Sequence, residues 1–192
     1  MATYQFKVQI QGIQKPPVWR QLVAASDITL DEFHHIIQAA FGWQNCHLHH
    51  FSLRAWGSKP VYKIPDEFDY EDDETEDSRI VKLSEIFTEP GQKFTYMYDF
   101  GDNWEHSIIL EKIADEKIIR AMCVDGKGAC PPEDCGGIPG YYNMVEILSD
   151  PKHPEYKETR KWLGMKKNQT WDVDAFDKSA ANDRIQEFYL NA

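Results

Sequence analysis

Five of the seven histidines fall between residues 34 and 50: His34, His35, His47, His49 and His50. Imidazole is a common ligand of transition metals, and residues at i, i+2 on an extended chain project to one side. His47 and His49 are therefore a candidate metal pair, given a third donor from elsewhere. The same face would carry Phe51, Leu53 and Ala55. A hydrogen-bonded histidine in or beside a core is the competing reading. Cys123, Cys130 and Cys135 form a second candidate set, in which His106 could complete a Cys₃His zinc site. Their spacing lacks the close C-x₂-C pairs of zinc knuckles and ribbons, so buried or free thiols are the alternative.

Asp99-Phe-Gly-Asp102, followed by Trp104-Glu-His106, is a third constellation. Asp99 and Asp102 could ligate a cation, or hold His106 in one tautomer as a general base. Asp-Phe-Gly also occurs in protein kinases, but no Gly-rich phosphate loop, strand lysine or catalytic-loop Asp/Asn accompanies it. Gly101-Asp-Asn103 reads equally as a turn. Finally, Glu133 and Asp134 precede a Gly-rich stretch that opens a helix. Successive amides at a helix start can receive an anion, yet neither phosphate-loop pattern is present. A rigid loop pinning the sheet to the C-terminal helices explains the stretch as well.

These residues need elements to hold them. Tyr4, Phe6, Val8 and Ile10 alternate with polar residues, which predicts a half-buried strand. Gly12 to Pro17 breaks it, and Val18 to Ala25 returns antiparallel. Thr29-Leu-Asp-Glu32 is a capping box. It opens a helix whose apolar stripe is Leu30, Phe33, Ile36, Ile37, Ala40 and Phe41, ended by Gly42. His47 to Trp56 follows as a third strand, giving a β-β-α-β unit over residues 1–56. Residues 57–78 read as a flexible acidic insertion. Over 79–124 a β-meander is expected: a short strand at Arg79–Leu83, a helical turn at Ser84–Thr88, a hairpin around Gly101-Asp-Asn103, and a further strand at Lys117–Val124. From 125 to 192 a Gly/Pro-rich loop leads into helices around Tyr141–Leu148, Pro154–Leu163 and Ile185–Tyr189. The expectation is a single α+β domain: a mostly antiparallel mixed sheet with C-terminal helices packed on it.

Composition narrows the function. Apolar residues make up 42% of the 192 residues and aromatics 13%, enough to fill a core. The net charge of −11 is local, because Asp66 to Asp77 holds nine acidic residues and no basic one. Outside that block 23 acidic residues face 21 basic ones. A block of like charges is usually a solvated loop. With no Lys/Arg stripe, duplex binding lacks its electrostatic footprint, so nucleic acid is the less favoured partner. No apolar run reaches membrane-helix length and no secretory leader is visible, which predicts a cytoplasmic protein.

Several segments carry a family resemblance. They are Pro16-Pro-Val-Trp-Arg20, Gln38-Ala-Ala-Phe-Gly-Trp43, His47-Leu-His49, Tyr98-Asp-Phe-Gly-Asp-Asn-Trp-Glu-His106 and Cys130-Pro-Pro-Glu-Asp-Cys-Gly-Gly-Ile-Pro-Gly-Tyr141. With Asp150-Pro-Lys-His-Pro-Glu155 and Asp174-Ala-Phe-Asp177, the chain resembles the Ri-plasmid ORF-3-like family, also described as TnpR-like passengers of insertion elements. The resemblance implies one compact α+β domain, encoded on plasmids, insertion elements and chromosomes, with no established activity. The TnpR label suggests a resolvase, but no nucleophilic serine with arginine partners stands in this chain. The family commonly has Val at the position of Cys135, which counts against a zinc site needing all three cysteines. The leading expectation is a noncatalytic binding or interaction module with a protein partner. The alternative is a metal-dependent hydrolase that would draw together His47, His49, Asp99, Asp102, His106, Glu133 and Asp134.

Overall fold

The structure is a computed structural model that describes residues 2–54, 58–65 and 74–191. Strands β1 (Thr3–Gln14) and β2 (Pro17–Ala25) pair antiparallel, with Tyr4 opposite Ala24 and Val8 opposite Arg20. Alternation turns Tyr4, Phe6, Val8 and Ile10 inward. Helix α1 (Leu30–Phe41) starts on the capping box: the Glu32 amide donates to Thr29 Oγ1 (3.1 Å), and the Thr29 amide to the Glu32 carboxylate (2.8 Å). It ends where Gly42 takes φ +92°, which only glycine adopts without cost. The whole apolar stripe of α1 is buried against the sheet.

The remaining elements are β3 (His49–Ser52), β4 (Val61–Lys63), β5 (Thr75–Asp77), α2 (Leu83–Ile86), β6 (Lys93–Tyr98), β7 (Trp104–Ala114), β8 (Met122–Lys127), α3 (Gly137–Ser149), α4 (Tyr156–Trp162) and α5 (Lys178–Asn191). Eight strands form one sheet in the order β5-β4-β3-β6-β7-β1-β2-β8, antiparallel except for the β4–β5 pair. This is the expected α+β class. The inner face and α1 enclose an aromatic core, in which the Phe6 ring lies 4.9 Å from those of both Phe33 and Phe87. No helix among the described residues is long and apolar enough to cross a membrane.

Several expectations change in detail. The β6–β7 hairpin forms, but the meander stops there, because β1 takes the other flank of β7. The next strand, β8, instead crosses to the far edge and pairs with β2. Arg79–Leu83 gives a single bridge, Thr29 to Lys82, rather than a strand. The 57–78 segment is not all loop, since β4 and β5 come from it. Residues 55–57 and 66–73, which include the end of the expected third strand and most of the acidic block, lie outside the described residues.

Two contacts tie the layers. Arg20 is buried, and its guanidinium donates to the carbonyls of Trp19 (2.8 Å), Lys127 (2.9 Å), Gly128 (3.1 Å) and Ala40 (3.1 Å). It also lies between the rings of Phe41 and Phe176, at 4.9 and 4.4 Å. Along β8, the Asn182 side chain of α5 receives the Cys123 amide (2.9 Å) and donates to the Cys123 carbonyl (2.8 Å). The Tyr189 hydroxyl receives the Ala121 amide at 3.0 Å.

Candidate functional site

The loop after α1, the β6–β7 turn and the Gly-rich loop before α3 meet at one end of the sheet. Each is fixed by local hydrogen bonds. Trp43 Nε1 donates to the Pro131 carbonyl (3.0 Å), drawing the Gly-rich loop onto the end of α1. The Gly136 amide donates to Asp102 Oδ2 (3.0 Å), tying that loop to the hairpin turn. The carboxylate of Asp102 thus occupies the helix start where an outside anion was one reading. Gly137 has φ +65°, and a Cβ there would stand 2.6 Å from the Asp102 carbonyl oxygen. Gly137→Ala is therefore expected to cost about 2 kcal/mol, from left-handed strain plus backbone displacement. Chemical denaturation measures this, and a change within 0.5 kcal/mol (the usual scatter of neutral substitutions) would show that the loop does not need the close approach.

The three segments bring His47, Asp99, Glu133 and Asp134 together. His47 Nε2 lies 3.2 Å from Asp134 Oδ1, 3.6 Å from Asp99 Oδ2 and 3.9 Å from Glu133 Oε2. None of these contacts has hydrogen-bond geometry, and both Nε2 and Glu133 Oε2 are buried atoms without a hydrogen-bond partner. The remaining carboxylate oxygens are anchored. Asp99 Oδ1 accepts the Gly101 amide (2.8 Å) and the Asp102 amide (3.3 Å). Glu133 Oε1 accepts the Gln44 amide (2.8 Å) and the Tyr98 hydroxyl (3.0 Å). Burial raises the pKa of Tyr98, which keeps that donor protonated. Asp99 and Asp134 both adopt φ +56°, a conformation Asp tolerates better than most residues. Potential ligand atoms fall into two groups whose members lie within 4.8 Å of one another: His47, Asp99 and Asp134 in one, and Cys46, His47 and Glu133 in the other.

The other expected site residues lie elsewhere. His49 begins β3, whereas His47 precedes it, so the two do not converge on the cluster. His49 stacks on His34, with ring centroids 3.4 Å apart and planes at 5°. His34 is bonded to Tyr96 Oη and Asn45 Oδ1, each at 2.8 Å. Burial is the first cause that lowers both imidazoles, His34 well below its usual range and His49 to about 4, so the stack is neutral. His106 is fully enclosed beside Phe41, Trp43 and Tyr96, and its Nδ1 is bonded to the Trp104 carbonyl at 2.9 Å. It cannot act as a general base at the cluster. Cys123, Cys130 and Cys135 belong to neither group of potential ligand atoms found among the described residues. Burial raises all three thiols, Cys123 to about 11 and Cys135 to about 12, which leaves them poor thiolates. Of the seven residues the hydrolase reading requires, four gather. Sequence reasoning missed Tyr98, although it adjoins Asp99 in the chain.

His47, alone of the cluster, also lines a cleft of about 400 Å³. Leu48, Ile64 and Phe100 supply its apolar rim, and His34, His47 and His49 part of its polar wall.

Comparison with known proteins places this architecture. An uncharacterised protein, y4hQ of Sinorhizobium fredii, is 36% identical over 177 residues, covering 92% of this chain and 84% of the relative. The crystal structure of MM3350 from Methanosarcina mazei Go1, a protein of unknown function, superposes with a TM-score of 0.77 at 34% identity, covering 93% of this chain and 96% of that one. Neither description assigns a reaction. A family profile, described as plasmid pRiA4b ORF-3-like protein, matches residues 2–180, and with these relatives it establishes that the chain belongs to that family.

Proposed function

We propose that this chain is a noncatalytic binding module whose cleft receives an apolar side chain of a protein partner. One observation carries the reading: three exposed apolar residues from separate segments, Leu48 (72% exposed), Ile64 (46%) and Phe100 (37%), rim a single concave site. Scattered apolar surface residues need no explanation, but convergence on a concavity marks a recognition surface. Buried apolar anchors of this kind dominate interface energetics. The cleft wall carries one carboxylate, Asp31, and one ammonium, Lys63, so its charges balance and the apolar rim carries the recognition.

The test is selection of a random peptide library on the immobilised full chain. Enriched peptides are expected to share an apolar anchor, and to bind Leu48→Glu and Ile64→Glu variants at least about tenfold more weakly, some 1.4 kcal/mol. Failure to enrich, or binding indifferent to both substitutions, overturns the reading.

A further inference from the structure

We infer that His47, Asp99 and Asp134, with Glu133 beside them, form a binding site for one divalent transition-metal ion of the zinc class. Three observations lead there. First, the donor spacing fits. Metal–ligand bonds of about 2.0–2.2 Å place neighbouring donor atoms roughly 3.0–3.6 Å apart around a tetrahedral or octahedral ion. His47 Nε2 lies 3.2 Å from Asp134 Oδ1 and 3.6 Å from Asp99 Oδ2, inside that range, and 3.9 Å from Glu133 Oε2, just beyond it.

Second, the groups have no other use for the atoms that face one another. The side chain of Glu133 is nine-tenths buried, and its Oε2 has no hydrogen-bond partner. His47 Nε2 is likewise unpartnered. An imidazolium neutralising the carboxylates would be expected to aim an N–H along at least one of these contacts, and none has that geometry. Among the described residues, His47 is the ion-pair partner of Asp99, Glu133 and Asp134. Three carboxylates around one imidazole leave negative charge that calls for a cation.

Third, the ligands are held in advance. Asp99 uses Oδ1 for the turn amides and keeps Oδ2 for the centre; Glu133 uses Oε1 for Gln44 and Tyr98 and keeps Oε2. Such outer contacts orient ligands in known metal centres. An imidazole among the donors favours a transition ion over Mg²⁺ or Ca²⁺, which prefer all-oxygen shells. Asp134, with a side chain 71% exposed, and the adjoining cleft give the ion a way in.

The experiment uses the full chain, stripped with chelator and dialysed, then titrated calorimetrically with Zn²⁺ and spectroscopically with Co²⁺. The expected result is saturable binding of one ion per chain, with visible Co²⁺ d–d bands. His47→Ala and Asp99→Asn are each expected to weaken binding at least tenfold while leaving the circular dichroism spectrum unchanged. If His47→Ala does not fold, His47→Gln replaces the ring with a poor ligand and must show the same loss. Leu48→Glu, at the cleft rim, is expected to bind the ion as the unaltered chain does. This separates the metal site from the peptide-binding reading, since either can fail alone. The inference is overturned by no saturable binding, or by binding that survives the His47 substitutions. It is equally overturned if NMR finds His47 doubly protonated at neutral pH in protein that ignores both ions.

Discussion

Arg20→Met is expected to lower the unfolding free energy by about 3 kcal/mol, and the thermal midpoint by roughly 6–12 °C. The guanidinium gives four charge-assisted hydrogen bonds to carbonyls of β2, α1 and the end of β8 with its following loop. Methionine fills much of the volume between Phe41 and Phe176 but donates nothing. The carbonyls then lose their donors inside a closed space, and each loss counts more than the net worth of an exposed hydrogen bond. Relief from burying a cation offsets part of this, which keeps the estimate near 3 kcal/mol rather than the sum over four bonds. Arg20→Lys should recover little, because an ammonium cannot span the same fork of acceptors. Urea denaturation of the three proteins decides the matter. A methionine variant within 1 kcal/mol of the parent (smaller than a typical core substitution) would mean that apolar packing alone joins these layers.

Arg20 also shows where sequence reading stops. Its segment, Pro16-Pro-Val-Trp-Arg20, stood out in the chain, but its acceptors are backbone carbonyls up to 108 positions away. Local grammar was legible: the Thr29–Glu32 capping box, the alternation in β1 and β7, and Gly42 as a helix stop all lie where their chemistry puts them. Partner choice was not. Lys117–Val124 looks like the next strand of a meander, yet β7 already has β1 on that side, and no local residue records it. The three-residue strands β4 and β5 carry too little alternation to stand out from a proline-bearing and acidic stretch. At the site, His47, Asp99, Glu133 and Asp134 were visible as candidates, but so were His49, Asp102, His106 and three cysteines. What sorts them is the backbone of two turns and the burial of the rest.

Acid should destabilise the protein well before its carboxylates protonate. Burial pushes His106 down to about 3, His49 and His50 to about 4, and His34 well below its usual value. In the unfolded chain all four titrate near 6.5. Above that pH neither state holds the extra proton, and their contribution is fully present. As pH falls from 6.5 towards 3, the unfolded state takes up protons that the folded state refuses, so stability declines until the folded pKa is passed. Each group contributes about 1.4 kcal/mol per pH unit inside this window. Between pH 6.5 and 5 His106 alone should therefore remove about 1.6 kcal/mol, and the other three imidazoles add to that loss. His106→Phe, placed among Phe41, Trp43 and Tyr96, should take its share out of the slope while forfeiting the bond to the Trp104 carbonyl. Urea midpoints at pH 7, 6 and 5 measure this (the interval spans most of the unfolded-state titration). A flat profile would mean that water or motion admits a proton to these rings.

The two outer strands bear on how any partner could approach. β8 has backbone groups outside its pairing with β2 satisfied by Asn182 and Tyr189 of α5, side chains that imitate a neighbouring strand. At the opposite margin, β5 is three residues long and reads Thr-Glu-Asp, short and anionic. Both margins thus discourage an incoming chain from extending the ladder, whether in aggregation or in recognition. The apolar-rimmed cleft that His47 lines is an approach that needs no free strand margin.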